Sequence, residues 1–356
     1  MSLAYDVIPV TIVTGFLGSG KSTLLADVLK GDAARDTAVL VNEFGEVGLD
    51  HLLIGELDAQ TVLLDNGCVC CAIRGELKDA LTALFSRRAR GELPAFSRVV
   101  LETTGLATPA PIVATLLGDP VVSSHYSVGA IVTVVDAVNA GQQRARHEQW
   151  LAQVTAADRI VVSKVDLVSH AALAGLERSL AELNPAASIA RRTCTDDAAL
   201  VLDSASNSHD FAEFVRRTGS ARTDATHAAN PLARLNATSA HRAELAALKA
   251  FCIEFDEPLD WPVFTLWLTM LLNRHGDNIL RVKGILALAG ATQPVVIHAV
   301  HHLVYPILHL DAWPGNGKHE AHRSRLVFIA QGFEGDALAD SYRRLCRHLQ
   351  TAEAIA

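Results

Sequence analysis

Along the first two hundred residues, short runs of β-branched and aliphatic residues alternate with stretches whose apolar positions recur every three or four residues. The runs VIPVTIVT, DTAVLVN, QTVLLD, SRVVLET, GAIVTVVD and DRIVVSK are near-continuously apolar, which predicts strands buried on both faces. KSTLLADVLK, IRGELKDALTALFSRRAR and SHAALAGLERSLAELN have helical spacing instead. Strand, helix, strand repeated in this way predicts an α/β domain with a mostly parallel, doubly wound sheet. Such sheets bind ligands at the carboxyl ends of their strands. Every polar motif described below directly follows one of these runs.

The texture breaks at about Thr218. TGSARTDATHAANPLARLNATSAH is small, polar and aperiodic, and reads as an exposed linker. Beyond it, LKAFCIEF, NILRVKGILAL, QPVVIHAV and SRLVFIA predict strands that follow one another with few helices between them. WPVFTLWLTMLLNRH and DALADSYRRLCRHLQ predict helices, so an α+β domain with a mostly antiparallel sheet is expected. The predicted division is a first domain over 1–217, a linker over 218–240 and a smaller C-terminal domain over 241–356.

Half of the 356 residues are hydrophobic, enough for sizeable cores. The formal net charge of −8, with no block of Lys or Arg, argues against a non-specific nucleic-acid binder. The apolar stretches are too short to span a membrane. The N-terminal one lacks a basic leader and runs into a Gly-rich loop, as a buried strand would rather than a signal peptide. Cys194, Cys252 and Cys346 are too widely spaced for a disulfide framework, which points to a reducing, cytoplasmic compartment. The sequence leaves the oligomeric state open.

Gly15-Phe16-Leu17-Gly18-Ser19-Gly20-Lys21-Ser22 fits the phosphate-binding pattern G-x-x-x-x-G-K-[ST] between a strand and a helix. Glycines let backbone N–H groups turn around an anion, and the helix that follows aims its N-terminal donors at the same phosphates. Lys21 would place a positive charge at the β/γ oxygens, and the Ser22 hydroxyl can ligate Mg²⁺. Gly15, Gly18, Ser19, Gly20, Lys21, Ser22 and Thr23 are therefore the expected nucleotide contacts.

Three further segments follow strand runs. In SKVD, Ser163, Lys164 and Asp166 occupy the place where GTPases carry their base-reading Lys and Asp, although the common form begins with Asn. An Asp carboxylate accepts two hydrogens from guanine that adenine does not present, and Lys164 would cover the base or brace the loop. In LETTG, Glu102 would hold the Mg²⁺ shell or position water, and the Gly105 N–H would sense the γ-phosphate. Asp136, ending VTVVD, is a competing strand-end carboxylate. NEFGEVGLD, over 42–50, suits a switch loop, or else an acidic surface loop.

Cys68, Cys70 and Cys71 lie within four positions. Thiolates bind soft or borderline ions such as Zn²⁺, Cu⁺ and Co²⁺. Three ligands with one replaceable position would allow an ion to be released, whereas a closed four-thiolate site would hold it. Adjacent side chains of an extended segment point opposite ways, so the loop must curl after Gly67. Otherwise two thiols bind, with Glu43, Asp50 or a histidine completing the set. A redox-active pair and inert packing are the rival readings.

Together these segments resemble the CobW-like GTPases, a family of metal chaperones and insertases. GFLGSGKSTLL, NEFGEVGLD, NGCVCC, ETTGLATP and SKVDLV carry the likeness in the first domain. WPVFTLWLTMLL, ILRVKGILAL and RLVFIAQG carry it in the second. The resemblance implies a GTPase that captures a transition metal, chiefly zinc, on the three motif cysteines and delivers it to client proteins. Nucleotide state would control access to the thiols. Cobalt delivery, for cobalamin synthesis or a nitrile hydratase-type enzyme, is the alternative within the family. Two features depart from the pattern: Thr108 stands where the family has Asp, and the terminal His-rich tract of some members is absent as a run. His298, His301, His302, His309, His319 and His322 are scattered instead, with His319 and His322 as candidates for secondary metal loading.

The expected mechanism is a switch, in which GTP holds the thiolates in binding geometry and hydrolysis releases the ion. No arginine finger is evident in the motifs, so intrinsic turnover should be slow, on the order of 10⁻⁴ to 10⁻² s⁻¹. The second domain, lacking catalytic motifs, would recognise the client. A small-molecule kinase would use the same phosphate loop but has no need of three thiols, and a metal sensor or store would use GTP only structurally.

Overall fold

The computed structural model describes residues 7–41, 62–65, 73–192, 197–203, 214–218, 248–314 and 322–353. The chain divides into two compact units, Met1–Leu180 with Ala187–Asn207, and Ala181–Ala186 with Ser208–Ala356.

The first unit holds a seven-stranded sheet: β1 (Ile8–Thr14), β2 (Thr37–Val41), β3 (Val62–Asp65), β4 (Arg98–Glu102), β5 (Tyr126–Asp136), β6 (Arg159–Ser163) and β7 (Ser188–Arg191). Their order is β3-β2-β4-β1-β5-β6-β7, and every neighbouring pair is parallel. All residues of β2 and β6 are buried, as their apolar runs require. Helices connect the strands, among them Lys21–Leu29, Ile73–Ala89, Glu148–Ala156 and His170–Leu183. Six strands were legible as apolar runs. The seventh, Ser188–Arg191, was not, being a four-residue edge strand with half-buried side chains.

Register fixes which strand ends meet. Val41 lies opposite Asp65 on β3 and opposite Glu102 on β4. β1 runs between β4 and β5, pairing Val13 with Glu102 and Thr14 with Thr133. The loop after β1 therefore opens between the ends of β4 and β5, where a ligand site is expected.

The second unit contains an antiparallel sheet in the order β11-β10-β9-β13-β8, with β12 also pairing β10. These strands are β8 (Leu248–Phe255), β9 (Ile279–Leu286), β10 (Val295–Val300), β11 (Leu303–Val304), β12 (Leu308–His309) and β13 (Ser324–Gln331). Helices Trp261–His275 and Gly335–Glu353 share a core with the sheet, formed by Phe264, Trp267, Leu271, Val282, Phe328 and Tyr342 among others. The Asp260 carboxylate caps the first helix, accepting from Val263 N at 3.0 Å. Arg281 and Lys283 on β9 are fully buried, although charged residues on a strand suggest a wet face. Arg281 Nη2 is 3.4 Å from His298 Nδ1 and its guanidinium lies over the Tyr305 ring, while Lys283 Nζ is 5.9 Å from the Phe214 ring centre.

Thr218, where the sequence begins its linker, is buried, and its hydroxyl donates to Phe214 O at 2.8 Å. Residues 219–240 lie outside the described residues. No helix among the described residues is long and apolar enough to cross a membrane.

Candidate nucleotide-binding site

The Gly-rich loop leaves β1 at the centre of the sheet and enters helix Lys21–Leu29. Gly15, with φ +144°, passes so close to β5 that an added Cβ would lie 2.3 Å from Val134 O. Only glycine fits there. The Lys21 ammonium donates to Gly15 O at 3.0 Å and to Phe16 O at 3.4 Å, which holds it across the mouth of the loop. The Ser19 hydroxyl is fully buried and has no hydrogen-bond partner among the described residues. A buried hydroxyl without a partner costs about 1–3 kcal/mol. With the inward Lys21, that orphan fits a loop built around phosphate oxygens.

The next strand end supplies the carboxylate. Ser22 Oγ donates to Glu102 Oε1 at 2.7 Å, so two hard oxygen donors from the loop helix and β4 stand side by side. That donor set suits Mg²⁺ bound together with phosphate oxygens. Beyond Glu102, the Thr103 hydroxyl donates to Thr14 Oγ1 at 2.9 Å, tying the start of the LETTG loop to β1. Gly105 presses on the phosphate loop: an added Cβ would sit 2.5 Å from Leu17 N. Thr108 occupies the N-cap position of helix Pro109–Gly118 and makes no side-chain cap bond. An Asp there would be a good cap, which gives the family's usual acid a local role.

Asp136, the competing carboxylate, is already engaged. Its oxygens accept from Lys164 Nζ (2.8 Å), Asn139 Nδ2 (2.7 Å) and Val138 N (2.8 Å). Burial pushes this carboxyl up, but the bonds from Lys164, Asn139 and Val138 outweigh it and hold it below the usual carboxylate range.

SKVD closes the other side. Ser163, almost completely buried, donates its hydroxyl to Ser19 O at 2.6 Å. Lys164, with φ +55°, reaches Gly18 O at 2.8 Å besides Asp136. Of the two roles read for Lys164, this geometry is the brace. Asp166 is exposed in the short turn after β6.

Cys68, Cys70 and Cys71, the candidate ligands Glu43 and Asp50, and the switch-like loop 42–50 all lie outside the described residues. Their anchors do not: β2 ends at Val41, β3 at Asp65, and the following helix begins at Ile73. Burial foremost, with Glu254 adding to it, pushes the Cys252 thiol on β8 up to about 12, which disfavours its thiolate. Of the scattered histidines, His298 is buried beside Arg281, His301 Nδ1 is 3.1 Å from Gly276 O, and His322 stacks on Trp313. His319 lies outside the described residues. Among those described, no group of three or more His, Cys, Asp or Glu is placed to hold a metal.

Sequence reasoning missed Gln153, Asn139 and Arg192. Gln153 donates to Gly105 O and Ala107 O. Arg192 ties the end of β7 to Thr23 O and to Asp27. The only sequence trace of Gln153 is a polar residue on the helical stripe Trp150, Gln153, Val154, Ala157, all of them buried.

A Gly-rich loop closed over Lys21, a Ser–Glu pair at the strand ends and an Asp-bearing turn after β6 define a P-loop protein with the GTPase fold. Residues 9–191 match the CobW/HypB/UreG nucleotide-binding domain and residues 248–345 the C-terminal domain of the cobalamin synthesis protein cobW. The chain belongs to the CobW family of P-loop GTPases. It is 32% identical over 323 residues to the zinc chaperone YjiA of Escherichia coli, covering 90% of this chain and 93% of that protein. The zinc-regulated GTPase metalloprotein activator 1 of Schizosaccharomyces pombe is 34% identical over 56% of this chain and 49% of its own length. The crystal structure of Zn(II)-bound YjiA GTPase from E. coli superposes with a TM-score of 0.64 at 27% identity, over 95% of this chain and 99% of that one.

Proposed function

We propose that this protein is a GTP-hydrolysing zinc chaperone, in which Cys68, Cys70 and Cys71 take up the ion and the nucleotide governs its release. The observation that carries the reading is one register. Asp65 and Glu102 flank Val41 from the two sides, so their strands end level at the carboxyl edge. Two strand spacings put them about 10 Å apart. Cys68 follows Asp65 by three residues, a reach of up to roughly 10 Å. The described strand that leads into the cysteines therefore ends two strands away from Glu102, at the same edge of the sheet.

In this reading Gly15, Gly18, Ser19, Gly20, Lys21, Ser22 and Thr23 cradle the phosphates, and Ser163 and Lys164 fix the cradle's shape. Asp166 reads guanine. Ser22 and Glu102 would hold Mg²⁺, which offsets the phosphate charge. Glu102 is preferred to Asp136 for this, because the latter's oxygens are committed to Lys164 and Asn139. The Gly105 N–H reports the γ-phosphate, and the loop over 42–50, with Glu43 or Asp50 as a further zinc ligand, carries that report to the thiols. Zinc is favoured over cobalt by the names of the relatives. The C-terminal unit is the expected docking surface for a client metalloprotein, and the cytoplasm is the expected compartment.

The test is a zinc titration against a competing chelator, with a non-hydrolysable GTP analogue or with GDP. Switching a mostly loaded population to a mostly empty one requires a difference in zinc affinity of roughly 10⁴-fold between the two states. Zinc must favour GTP binding by the same factor. Equal zinc affinity in both states would overturn the proposal.

A further inference from the structure

Gln153 sits in helix Glu148–Ala156 with none of its surface exposed. A buried amide must find partners, and this one gives both of its hydrogens to a single loop. Its Nε2 donates to Gly105 O at 3.1 Å and to Ala107 O at 2.8 Å. Its backbone carbonyl accepts from the Thr133 hydroxyl of β5 at 2.8 Å, which anchors that point of the helix to the sheet. Oε1 has no hydrogen-bond partner among the described residues. The orientation is nevertheless fixed by chemistry, since a flipped amide would turn Oε1 against two carbonyl oxygens. An unsatisfied acceptor is thus tolerated so that one loop receives two donors.

The same helix also meets the phosphate loop. His147, at its N-cap position, packs its ring against that of Phe16, with centroids 4.5 Å apart. Gly105 in turn rests on the Leu17 backbone. The helix therefore touches both the phosphate loop, through Phe16, and the LETTG loop, through Gly105. Glycine has the widest backbone freedom of any residue, so a Gly105 that reports on phosphate needs an external constraint.

We infer that Gln153 is a positioning residue of the switch, whose amide holds Gly105 where its N–H meets the γ-phosphate. The inference rests on the role proposed above for Gly105, and Gln153 itself touches no substrate. When the loop departs, one buried carbonyl, one half-buried carbonyl and one buried amide lose their partners together, which favours two discrete loop positions over a continuum.

The test uses the full chain carrying Gln153→Met, which keeps the length and removes the donor, with Gly105→Ala alongside. Affinities for GDP and for a non-hydrolysable GTP analogue are measured by calorimetry. Gln153→Met should weaken the triphosphate by roughly tenfold, with GDP affinity within about twofold of the parent, because a diphosphate has no γ-oxygen for Gly105 to meet. A general packing defect would weaken both nucleotides alike, and that result, or no change in either, overturns the inference. If Gly105→Ala also leaves the preference for triphosphate unchanged, the role of Gly105 itself falls. Should the Met variant fail to fold, hydrogen exchange of residues 103–107 in the unmodified protein replaces it. Protection that rises with the triphosphate but not with GDP supports the proposal, and identical exchange overturns it.

Discussion

Lys164→Met removes one charge and two hydrogen bonds while nearly preserving side-chain length. The ammonium pairs with Asp136 Oδ2 at 2.8 Å and donates to Gly18 O at 2.8 Å. Removing one partner of a fully buried ion pair costs about 3–5 kcal/mol. Asp136 is buried to 1% exposure, but Lys164 is 36% exposed, so water screens the pair and reduces this to about 1–2 kcal/mol. The bond to Gly18 O adds roughly 0.5–1.5 kcal/mol, giving about 2 kcal/mol in all. The effect has a sign in pH. Burial raises the Asp136 carboxyl, and the bonds from Lys164, Asn139 and Val138 bring it below its ordinary value. A carboxylate depressed in the folded state stabilises above its unfolded pKa of about 3.9, and that stability is lost as pH falls through the folded value. Without Lys164, burial is opposed by fewer donors, so the carboxyl rises and the acid limb of stability moves to higher pH. Urea unfolding of both proteins between pH 3 and 8 reads the difference directly. It should be about 2 kcal/mol near neutrality and shrink as Asp136 takes up its proton. A difference that stays constant across the range would refute the ion-pair account, and so would one below the scatter of replicate melts.

On the role proposed for Asp166, Asp166→Asn exchanges a carboxylate oxygen for an amide and should cut the preference for GTP over ATP by roughly a hundredfold or more, the worth of two charge-assisted bonds. Unchanged discrimination in a competition assay would remove SKVD from the base site. Replacing Cys70 and Cys71 together with Ser should abolish tight zinc binding in the chelator titration, and retained affinity would place the metal elsewhere. Phe328→Ala empties the centre of the C-terminal core, where Phe328 meets Phe251 at 5.8 Å and Trp267 at 6.4 Å between ring centres. It should destabilise that unit by about 3–5 kcal/mol. A midpoint unchanged in denaturant would contradict the packing described.

What was legible in the chain follows the range of the forces involved. Buried parallel strands announce themselves because both faces must be apolar, and β2 and β6 are buried at every position. Ser188–Arg191 did not, since an edge strand buries only part of each residue and its pairing with β6 is settled by a neighbour outside its own sequence. The burial of Arg281 and Lys283 was not legible either. A charge on a strand reads as a solvent-facing position, yet here both are enclosed near His298, Tyr305 and Phe214, residues contributed by other elements. The phosphate-loop pattern was readable, because it depends on residue types at fixed local spacing. The proposed preference for Glu102 over Asp136 was not, because it rests on a lysine that lies 28 residues beyond Asp136.

That lysine, with the serine before it, changes how SKVD is understood. By pattern alone it is a base-reading segment in which Ser163 stands where Asn is usual. In the structure Ser163 donates to Ser19 O and Lys164 to Gly18 O, so two consecutive residues secure two consecutive carbonyls of the phosphate loop. Asp166 alone remains exposed for a base. On the role proposed for Asp166, base recognition and phosphate geometry are carried by one short turn. In the proposed reading a purine held by Asp166 acts on the same turn that braces Gly18 and Ser19, and those residues lead directly into Lys21 and Ser22. Guanine specificity should accordingly appear in turnover as well as in affinity. Lys164→Met, whose side chain is not the one that reads the base, should loosen both together.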